Sequence, residues 1–345
     1  MAKTFEVGIT YDFLAADGTL PYKEMGLELF QGNPAIRHQF MAPHPMVFAP
    51  DHIRPYDAIV SMAPKYTKDT FRGAERLVVI ARFGVGYDVV DVAACTEADV
   101  ALTTARGAVD HSMAESIVTW MMALSYRIFE KDSLQRRGEW GDKLRYLGRE
   151  LRDHRLGIVG LGGIGRKLVQ KVSGLGMKTP MTFDPFLTAA AAKEAGVESV
   201  PLDPLLKTAD FVCICCPLTP ETRGLIGRAQ FALMKPEAYF INAARGPIVD
   251  EGALVETLRA RRIAGAAIDV FAEEPAGKDH PLNGLDNVIL APHCIGYTHE
   301  MFRDIGRLAC ASVLEASHGQ VPRNVINTEV LQRPGFRKKL EAWSR

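Results

Sequence analysis

The stretch "HRLGIVGLGGIGRKLVQKV", residues 154–172, joins a short apolar run to an amphipathic run through three glycines. Gly160, Gly162 and Gly165 have the spacing G-x-G-x-x-G. Between a strand and a helix, the first glycine permits a tight turn and the second lets a pyrophosphate approach the backbone, while the third packs the helix on the strand. Free N–H groups at the start of such a helix bind phosphate. The stretch therefore predicts a dinucleotide site, with Gly163 and Ile164 also in contact with the ligand.

An acidic residue follows at the distance that such a site requires. The run "KTPMTFDPF", residues 178–186, reads as the next strand and ends at Asp184, nineteen residues beyond Gly165. A carboxylate there accepts hydrogen bonds from the ribose hydroxyls and repels a 2′-phosphate. This favours NAD over NADP as the cofactor. A structural glycine turn followed by a chance aspartate is the alternative.

Short apolar runs alternate with helical patterns along almost the whole chain. Strands are predicted at 5–10, 57–62, 76–81, 100–104, 155–160, 177–184, 210–216, 238–243, 263–269 and 287–292. Several are apolar on both faces, which is typical of parallel sheets covered by helices. The repeated strand–helix–strand order predicts an α/β protein with doubly wound parallel sheets.

Two long helical patterns mark the predicted domain boundaries. The first runs from His111 to Asp132, and the second begins at Glu300. The 345 residues are enough for two domains. We expect one domain to be inserted in the other: 113–315 forms the inserted domain, and 1–112 with 316–345 form the domain built from both ends of the chain.

Composition excludes several classes of protein. The chain has 41 basic and 41 acidic residues, so no surplus of positive charge indicates a nucleic-acid or membrane partner. The start "MAKTFEVGIT" has no apolar leader pattern. Three of the six cysteines lie in the apolar run "CICC", which is no zinc-ligand spacing. We therefore expect a cytoplasmic protein without a metal site.

Three residues suited to acid–base chemistry each follow an apolar strand downstream of the glycine turn. They are Arg245, Glu274 and His293, the last in "VILAPHCIGYT" at 288–298. Ligands of parallel α/β sheets bind beyond the carboxyl ends of the strands. Histidine exchanges protons near neutral pH, a carboxylate orients it, and arginine grips a substrate carboxylate. Taken singly, Arg245 could form a surface salt bridge, Glu274 could be a solvated loop residue, and His293 could make a core contact.

Six ordered motifs together resemble the D-isomer-specific 2-hydroxyacid dehydrogenase family. They are "GLGGIG", "FDPF", "CPLTPET", "NAARGPIVDEGAL", "AIDVFAEEP" and "LAPHCIGYT". The segments "RFGVGYDVVD" and "RGAVDHSMAESI" upstream match as well. The resemblance implies a Rossmann NAD-binding domain inserted into a flavodoxin-like substrate (catalytic) domain. It also implies an oxidoreductase that interconverts a small 2-keto acid and its D-2-hydroxy acid by hydride transfer.

The resemblance implies roles for individual residues of this chain. Arg245 would bind the substrate, His293 would be the general acid–base, and Glu274 its partner. The backbone N–H groups of Val85 and Gly86 would hold the substrate carboxylate. The remaining predicted cofactor contacts are Pro217, Thr222, Ala243, Asp269 and Gly296.

Two positions depart from the usual family pattern and concern the substrate. Arg106, in "TARG", stands where the family commonly has proline, and Val89 stands where it often has asparagine. Arg106 and Lys65 could bind a second anionic group on the substrate, or both could point to solvent. A small acid such as glyoxylate or hydroxypyruvate is the default expectation.

Two further expectations concern partners. The helix from His111 carries Ile117, Trp120, Met121 and Leu124, more apolar surface than one domain needs, and this predicts a homodimer formed through the cofactor domain. The stretch "RRGEWGDKLRYLG", residues 136–148, would extend toward the partner. The alternative to an enzyme is a dinucleotide-sensing binding protein, since family relatives serve as transcriptional corepressors. The complete set of arginine, glutamate and histidine favours the enzyme.

Overall fold

The computed structural model describes residues 4–344, and the chain divides into two compact units. The terminal unit comprises Met1–Val109 with Tyr297–Arg345, and the central unit comprises Asp110–Gly296. The central unit thus interrupts the terminal unit in sequence. The second boundary between these units lies before Tyr297, whereas the predicted domain boundary follows residue 315.

The elements are as follows. The strands are β1 (Phe5–Ile9), β2 (Ile36–Phe40), β3 (Ala58–Ser61), β4 (Val79–Arg82), β5 (Ala101–Thr103), β6 (Leu156–Val159), β7 (Met181–Phe183), β8 (Glu198–Ser199), β9 (Phe211–Ile214), β10 (Tyr239–Asn242), β11 (Gly265–Ile268) and β12 (Val288–Leu290). The α-helices are α1 (Pro50–Ile53), α2 (Val92–Glu97), α3 (Asp110–Tyr126), α4 (Ile128–Arg137), α5 (Gly163–Val172), α6 (Ala189–Ala195), α7 (Leu202–Thr208), α8 (Arg228–Leu233), α9 (Glu251–Arg259), α10 (His299–Ser317) and α11 (Pro334–Glu341). Short 3-10 helices lie at Tyr11–Phe13, Leu27–Phe30, Thr70–Gly73, Trp140–Tyr146, Gly246–Ile248, Pro281–Gly284 and Thr328–Gln332.

Among its described residues, the terminal unit contains a five-stranded parallel sheet in the order β2-β1-β3-β4-β5. This is the flavodoxin-like order. Helix α10 packs on β3 and β4. Its Gly306 lies so close to Met25 that a Cβ added there would overlap the Met25 backbone. Helix α10 therefore belongs to the terminal unit, and the boundary between the two units precedes this helix.

Among its described residues, the central unit contains a seven-stranded parallel sheet in the order β12-β11-β10-β9-β6-β7-β8. The strand order reverses between β6 and β9, as in a Rossmann fold. Successive residues of β9 enter separate cores: Phe211 and Cys213 pack on one face, Val212 and Ile214 on the other. The prediction of two doubly wound parallel sheets is confirmed.

The two strands that the sequence pattern did not predict both lie at sheet edges. In β2 only Ile36 is buried, and the sequence "IRHQF" alternates with polar residues. Both residues of β8 are exposed. An edge strand needs fewer apolar residues than a central one, so neither produces the apolar run on which the predictions depended.

The predicted helix from His111 to Asp132 is two helices. Arg127 separates α3 from α4 with a left-handed φ of 52°. The last carbonyls of α3 accept hydrogen bonds from outside the helix, Leu124 from the Tyr239 hydroxyl at 3.1 Å and Ser125 from the Arg149 N–H at 2.8 Å. These distant partners replace the next helical turn.

No helix within residues 4–344 combines the length and the apolar character needed to cross a bilayer.

The apolar residues of α3 pack inside the chain itself. Ile117, Trp120, Met121 and Leu124 are at most 8% exposed and share a core with residues of β6. The reason given for a homodimer from these four residues is therefore wrong, because they are core residues of the central unit.

Candidate active site

The three glycines of the turn after β6 are required for different reasons. Gly160 has a left-handed φ of 92°, and a Cβ there would lie 2.7 Å from the backbone nitrogen of Cys216. A Cβ on Gly165 would lie 2.8 Å from the carbonyl oxygen of Gly160. Around Gly162, in contrast, no described atom lies within 4 Å of an added Cβ. The fold needs the first and third glycines, and the second leaves an open cradle for a ligand.

Helix α5 begins directly beyond this cradle. Its first residues, Gly163 and Ile164, have N–H groups for which residues 4–344 supply no acceptor. Such groups at a helix start can bind phosphate oxygens. The carboxylate of Asp110 lies beside this turn, since a Cβ on Gly163 would overlap it. Asp110 is distant from this turn in sequence, and no sequence pattern indicated it.

Asp184 is fixed beside the same turn. Its Oδ2 accepts a hydrogen bond from the Leu161 N–H at 2.9 Å, and its Oδ1 accepts one from the Phe186 N–H at 3.0 Å. Each carboxylate oxygen can accept a further bond, which is what ribose hydroxyls require. The open cradle, the free N–H groups and this carboxylate fit a dinucleotide.

The loop after β9 has a stiff local structure. The Thr222 hydroxyl donates to the Pro217 carbonyl at 2.7 Å and accepts from the Thr219 N–H at 2.8 Å. This hydroxyl therefore holds the turn that leads away from Cys216, next to Gly160. Ala243 is half-buried just beyond β10. The predicted contacts of Pro217, Thr222 and Ala243 with the cofactor stay predictions.

His293 and Glu274 form a hydrogen-bonded pair. Nδ1 of His293 lies 2.7 Å from Oε2 of Glu274, and Oε1 of Glu274 accepts the Phe271 N–H at 3.0 Å. Burial raises the pKa of Glu274, but these two hydrogen bonds and the positive charge of Arg245 outweigh it, so the pKa lies below its usual value. Glu274 is therefore a carboxylate at neutral pH. The pair leaves Nε2 of the histidine for another partner.

The backbone of His293 is held by Asp269. His293 has a left-handed φ of 54°, and its N–H donates to the Asp269 carbonyl at 2.7 Å. The buried Asp269 carboxylate accepts from the N–H groups of Cys294 and Ile295 at 2.8 and 3.1 Å. Burial raises the pKa of Asp269. Gly296 is held too, because its carbonyl accepts from the Ser112 hydroxyl at 2.6 Å.

The loop that carries Arg245 is organised by Asn242. The buried Asn242 amide donates to the Arg245 carbonyl at 3.0 Å and accepts from the Ala244 N–H at 3.1 Å. A Cβ on Gly246 would overlap the Phe271 carbonyl, so the loops after β10 and β11 touch. This contact brings the arginine loop beside the segment that leads to Glu274. Asn242 was missed, although a polar residue ending an apolar strand is a detectable signal.

The other residues predicted to bind the substrate lie in the terminal unit. Val85 and Gly86 follow β4, and within residues 4–344 their N–H groups have no acceptor. The Arg82 side chain fixes the loop by donating to the Gly86 carbonyl at 3.3 Å. Arg106 and Lys65 are both exposed. The structure thus brings Arg245, Glu274 and His293 together in one unit, and Val85 with Gly86 in the other.

The cysteines do not form a metal site in the described part of the chain. Residues 4–344 contain no group of three or more histidine, cysteine or acidic side chains placed to hold a metal ion. Cys213 lies wholly inside β9, and burial raises the pKa of its thiol. The run "CICC" therefore acts as part of an apolar strand.

The chain is similar to known proteins in sequence and in fold. Residues 118–294 match the family model "D-isomer specific 2-hydroxyacid dehydrogenase, NAD binding domain". The chain is 41% identical over 270 residues to a D-3-phosphoglycerate dehydrogenase of Methanocaldococcus jannaschii, covering 78% of this chain but only 51% of that protein. The chain thus spans about half the length of that relative.

Two further proteins match along most of their length. A glyoxylate reductase of Korarchaeum cryptofilum is 35% identical over 292 residues, which cover 83% of this chain and 88% of that protein. The crystal structure of the TT0316 protein from Thermus thermophilus superposes with a TM-score of 0.80 at 26% identity, covering 93% of this chain and all of that one.

Proposed function

Because the chain belongs to the D-isomer-specific 2-hydroxyacid dehydrogenase family and contains its NAD-binding domain, we propose that it interconverts a small 2-keto acid and the corresponding D-2-hydroxy acid. The observation that carries this proposal is the hydrogen bond between His293 and Glu274. It lies in the same unit as the dinucleotide turn at Gly160–Gly165.

His293 is the proposed proton donor in the direction of reduction. When bound, NADH would supply the hydride, and NAD would accept it in the reverse reaction. Because Nδ1 is engaged by Glu274, the imidazolium donates its proton from Nε2 to the carbonyl oxygen of the substrate. In oxidation the neutral imidazole accepts the hydroxyl proton at the same nitrogen.

Glu274 is the proposed positioning residue for His293. An ionised carboxylate at hydrogen-bond distance favours the imidazolium and fixes which ring nitrogen faces the substrate. The lowered pKa of Glu274 keeps that carboxylate ionised where the reaction takes place. Asp269 helps to position His293, because its carboxylate fixes the backbone of the two residues that follow His293.

The substrate carboxylate has two proposed sets of partners. The Arg245 guanidinium can form a forked pair with it, and the N–H groups of Val85 and Gly86 can each donate a hydrogen bond. The absence of an acceptor for these two N–H groups within residues 4–344 supports this role. The stiff loop around Asn242 supports the same role for Arg245.

The relatives named above are a glyoxylate reductase and a D-3-phosphoglycerate dehydrogenase, so glyoxylate and other small 2-keto acids are the first substrates to test. Oxidation of NADH is followed at saturating cofactor with a panel of 2-keto acids, while binding of NADH is measured separately by fluorescence. Turnover that depends on His293 supports the proposal. NADH binding without turnover of any acid would instead support the dinucleotide-sensing alternative.

A homodimer is part of the proposal, on grounds other than the residues of α3. Large apolar side chains are exposed on α4 and the segment that follows it: Ile128 at 49%, Phe129 at 57%, Trp140 at 68%, Leu144 at 70% and Leu147 at 72%. Clustered exposed apolar residues mark interaction surfaces. We propose that a second copy of this chain covers this surface.

A further inference from the structure

The terminal unit contains a cavity that the proposed mechanism does not use. Its volume is about 410 Å³, and its lining residues are Pro21, Tyr22, Tyr297, Thr298, His299 and Phe302. They come from the loop that follows β1 and from the start of α10. Two distant parts of the sequence therefore build a single pocket.

The pocket is walled by aromatic rings. The Phe302 ring lies 4.5 Å from that of Tyr22 and 4.8 Å from that of Tyr297, between ring centres. Behind them, Phe83 stacks on Phe302 at 6.1 Å and meets Phe13 edge-on at 4.8 Å. Tyr297 is still 55% exposed. Aromatic rings that remain open to solvent in a concave site are suited to an apolar ligand.

The polar groups around the rings include the imidazole of the exposed His299 but no lysine or arginine side chain. The Thr298 hydroxyl is occupied, because it accepts the Met301 N–H at 3.1 Å as the cap of α10. Burial raises the pKa of Tyr22, so its phenol stays neutral. No lysine or arginine is among the lining residues. The exposed Arg106 and Lys65 are not part of this pocket.

Chain connectivity ties the pocket to the loop that carries Val85 and Gly86. Phe83 is two residues before Val85, at most roughly 7 Å away. A molecule whose carboxylate meets the loop of Val85 is thus within reach of the aromatic wall.

We propose, on the basis of the function proposed above, that this pocket holds the substrate side chain and that the preferred substrate is a 2-keto acid with an aromatic side chain. Glyoxylate has no side chain and would leave the pocket unfilled. A doubly charged acid would meet aromatic rings, a neutral phenol and the His299 imidazole, but no lysine or arginine. An aryl group fits within the pocket and can meet its aromatic rings edge to face.

The test compares phenylpyruvate with glyoxylate for the wild type and Phe302→Ala. The wild type is expected to have the higher kcat/KM with phenylpyruvate. Phe302→Ala should lower kcat/KM for phenylpyruvate by about 10- to 100-fold and for glyoxylate by less than about threefold. Phe40→Ala, which removes a half-buried ring of β2 outside the pocket, is the matched control and should not alter the ratio of the two.

Equilibrium binding of phenylpyruvate, measured by calorimetry, separates this inference from the proposed function. A weaker affinity in Phe302→Ala supports the pocket even if no acid is turned over. Equal affinity in both proteins overturns it, as does a wild type that prefers glyoxylate while Phe302→Ala affects both acids alike. If Phe302→Ala does not fold, the more exposed Tyr297→Ala provides the same comparison.

Discussion

His293 and Glu274 are nineteen residues apart in sequence, yet their side chains lie 2.7 Å apart. The pairing is set by backbone contacts on both sides. Asp269 anchors the histidine segment, and the Phe271 N–H anchors the glutamate. In the proposed mechanism His293 exchanges the proton and Glu274 favours its imidazolium form, so substitutions of the two residues should have different effects.

His293→Ala is expected to lower turnover by roughly 100- to 10,000-fold, because proton transfer to the carbonyl oxygen is lost. NADH binding should be nearly unchanged, since the dinucleotide turn lies elsewhere in the central unit. Stopped-flow or steady-state oxidation of NADH measures the first quantity and fluorescence titration the second. A variant that keeps near-wild-type turnover would remove His293 from the mechanism.

Glu274→Gln should change the pH dependence of reduction. The pKa of Glu274 is lowered, so the wild-type carboxylate is ionised at neutral pH and favours the imidazolium. Glutamine keeps the hydrogen bond without the charge. The alkaline limit of kcat/KM for the keto acid should therefore move to lower pH by about one unit or more. An unchanged profile would show that the pair has only a structural role; exposed Glu273→Gln is the matched control.

Asp184 should determine the choice of cofactor. Its charge repels a 2′-phosphate by about 1–4 kcal/mol at close range, so NADH should give the higher kcat/KM. Asp184→Asn keeps an acceptor for the Leu161 N–H and removes the charge. The ratio of kcat/KM for NADH over NADPH should fall about tenfold or more. Equal or better use of NADPH by the wild type would contradict the role of Asp184.

Light scattering at micromolar concentration should report twice the mass of one chain. Trp140→Glu places a charge in the exposed apolar surface and should yield monomers, because an unpaired charge in an interface is costly. Val321→Glu, at an exposed position of the terminal unit, is the control and should remain a dimer. A monomeric wild type would reject the dimer.

Asp210 should make the central unit more stable at neutral than at acid pH. Burial raises the pKa of Asp210. Hydrogen bonds from the Arg155 N–H at 2.7 Å and the Lys235 ammonium at 3.0 Å lower it by more than burial raises it, so the pKa of Asp210 is lowered overall. A carboxylate whose pKa is lower in the folded state stabilises the protein above its unfolded pKa of about 3.9. That stabilisation is lost as the pH falls through the folded-state pKa.

Asp210→Asn is therefore expected to lower the free energy of unfolding by about 1–3 kcal/mol at pH 7. The difference from the wild type should shrink as the pH falls below about 4. Urea unfolding at a series of pH values measures it, with the exposed Asp279→Asn as control. A difference that does not change with pH would mean that packing, rather than the charge, is what the substitution removes.

The parts that sequence patterns predicted are those specified locally. The strand, glycine turn and helix around Gly160 follow from consecutive residues, and so do the central strands of both sheets. The break at Arg127 could not be predicted in this way, because the groups that end α3 are the Tyr239 hydroxyl and the Arg149 N–H. Contacts of this kind depend on the tertiary fold.

The candidate site shows the same division. Arg245, Glu274 and His293 were predicted because each follows an apolar strand. Asn242 was not predicted, because its role depends on hydrogen bonds with the Ala244 N–H and the Arg245 carbonyl. The pocket of Tyr22 and Phe302 was not predicted either, because its rings come from opposite ends of the chain.

The division of the chain at Val109 and Gly296 has a consequence for engineering. The turn at Gly160 and the trio of Arg245, Glu274 and His293 are encoded by one uninterrupted segment, and the aromatic pocket by the two segments outside it. A chimaera that grafts residues 110–296 into the outer segments of a relative should keep NAD chemistry and acquire that relative's choice of acid. Crossing over at residue 315 instead would divide α10 from the strands on which it packs.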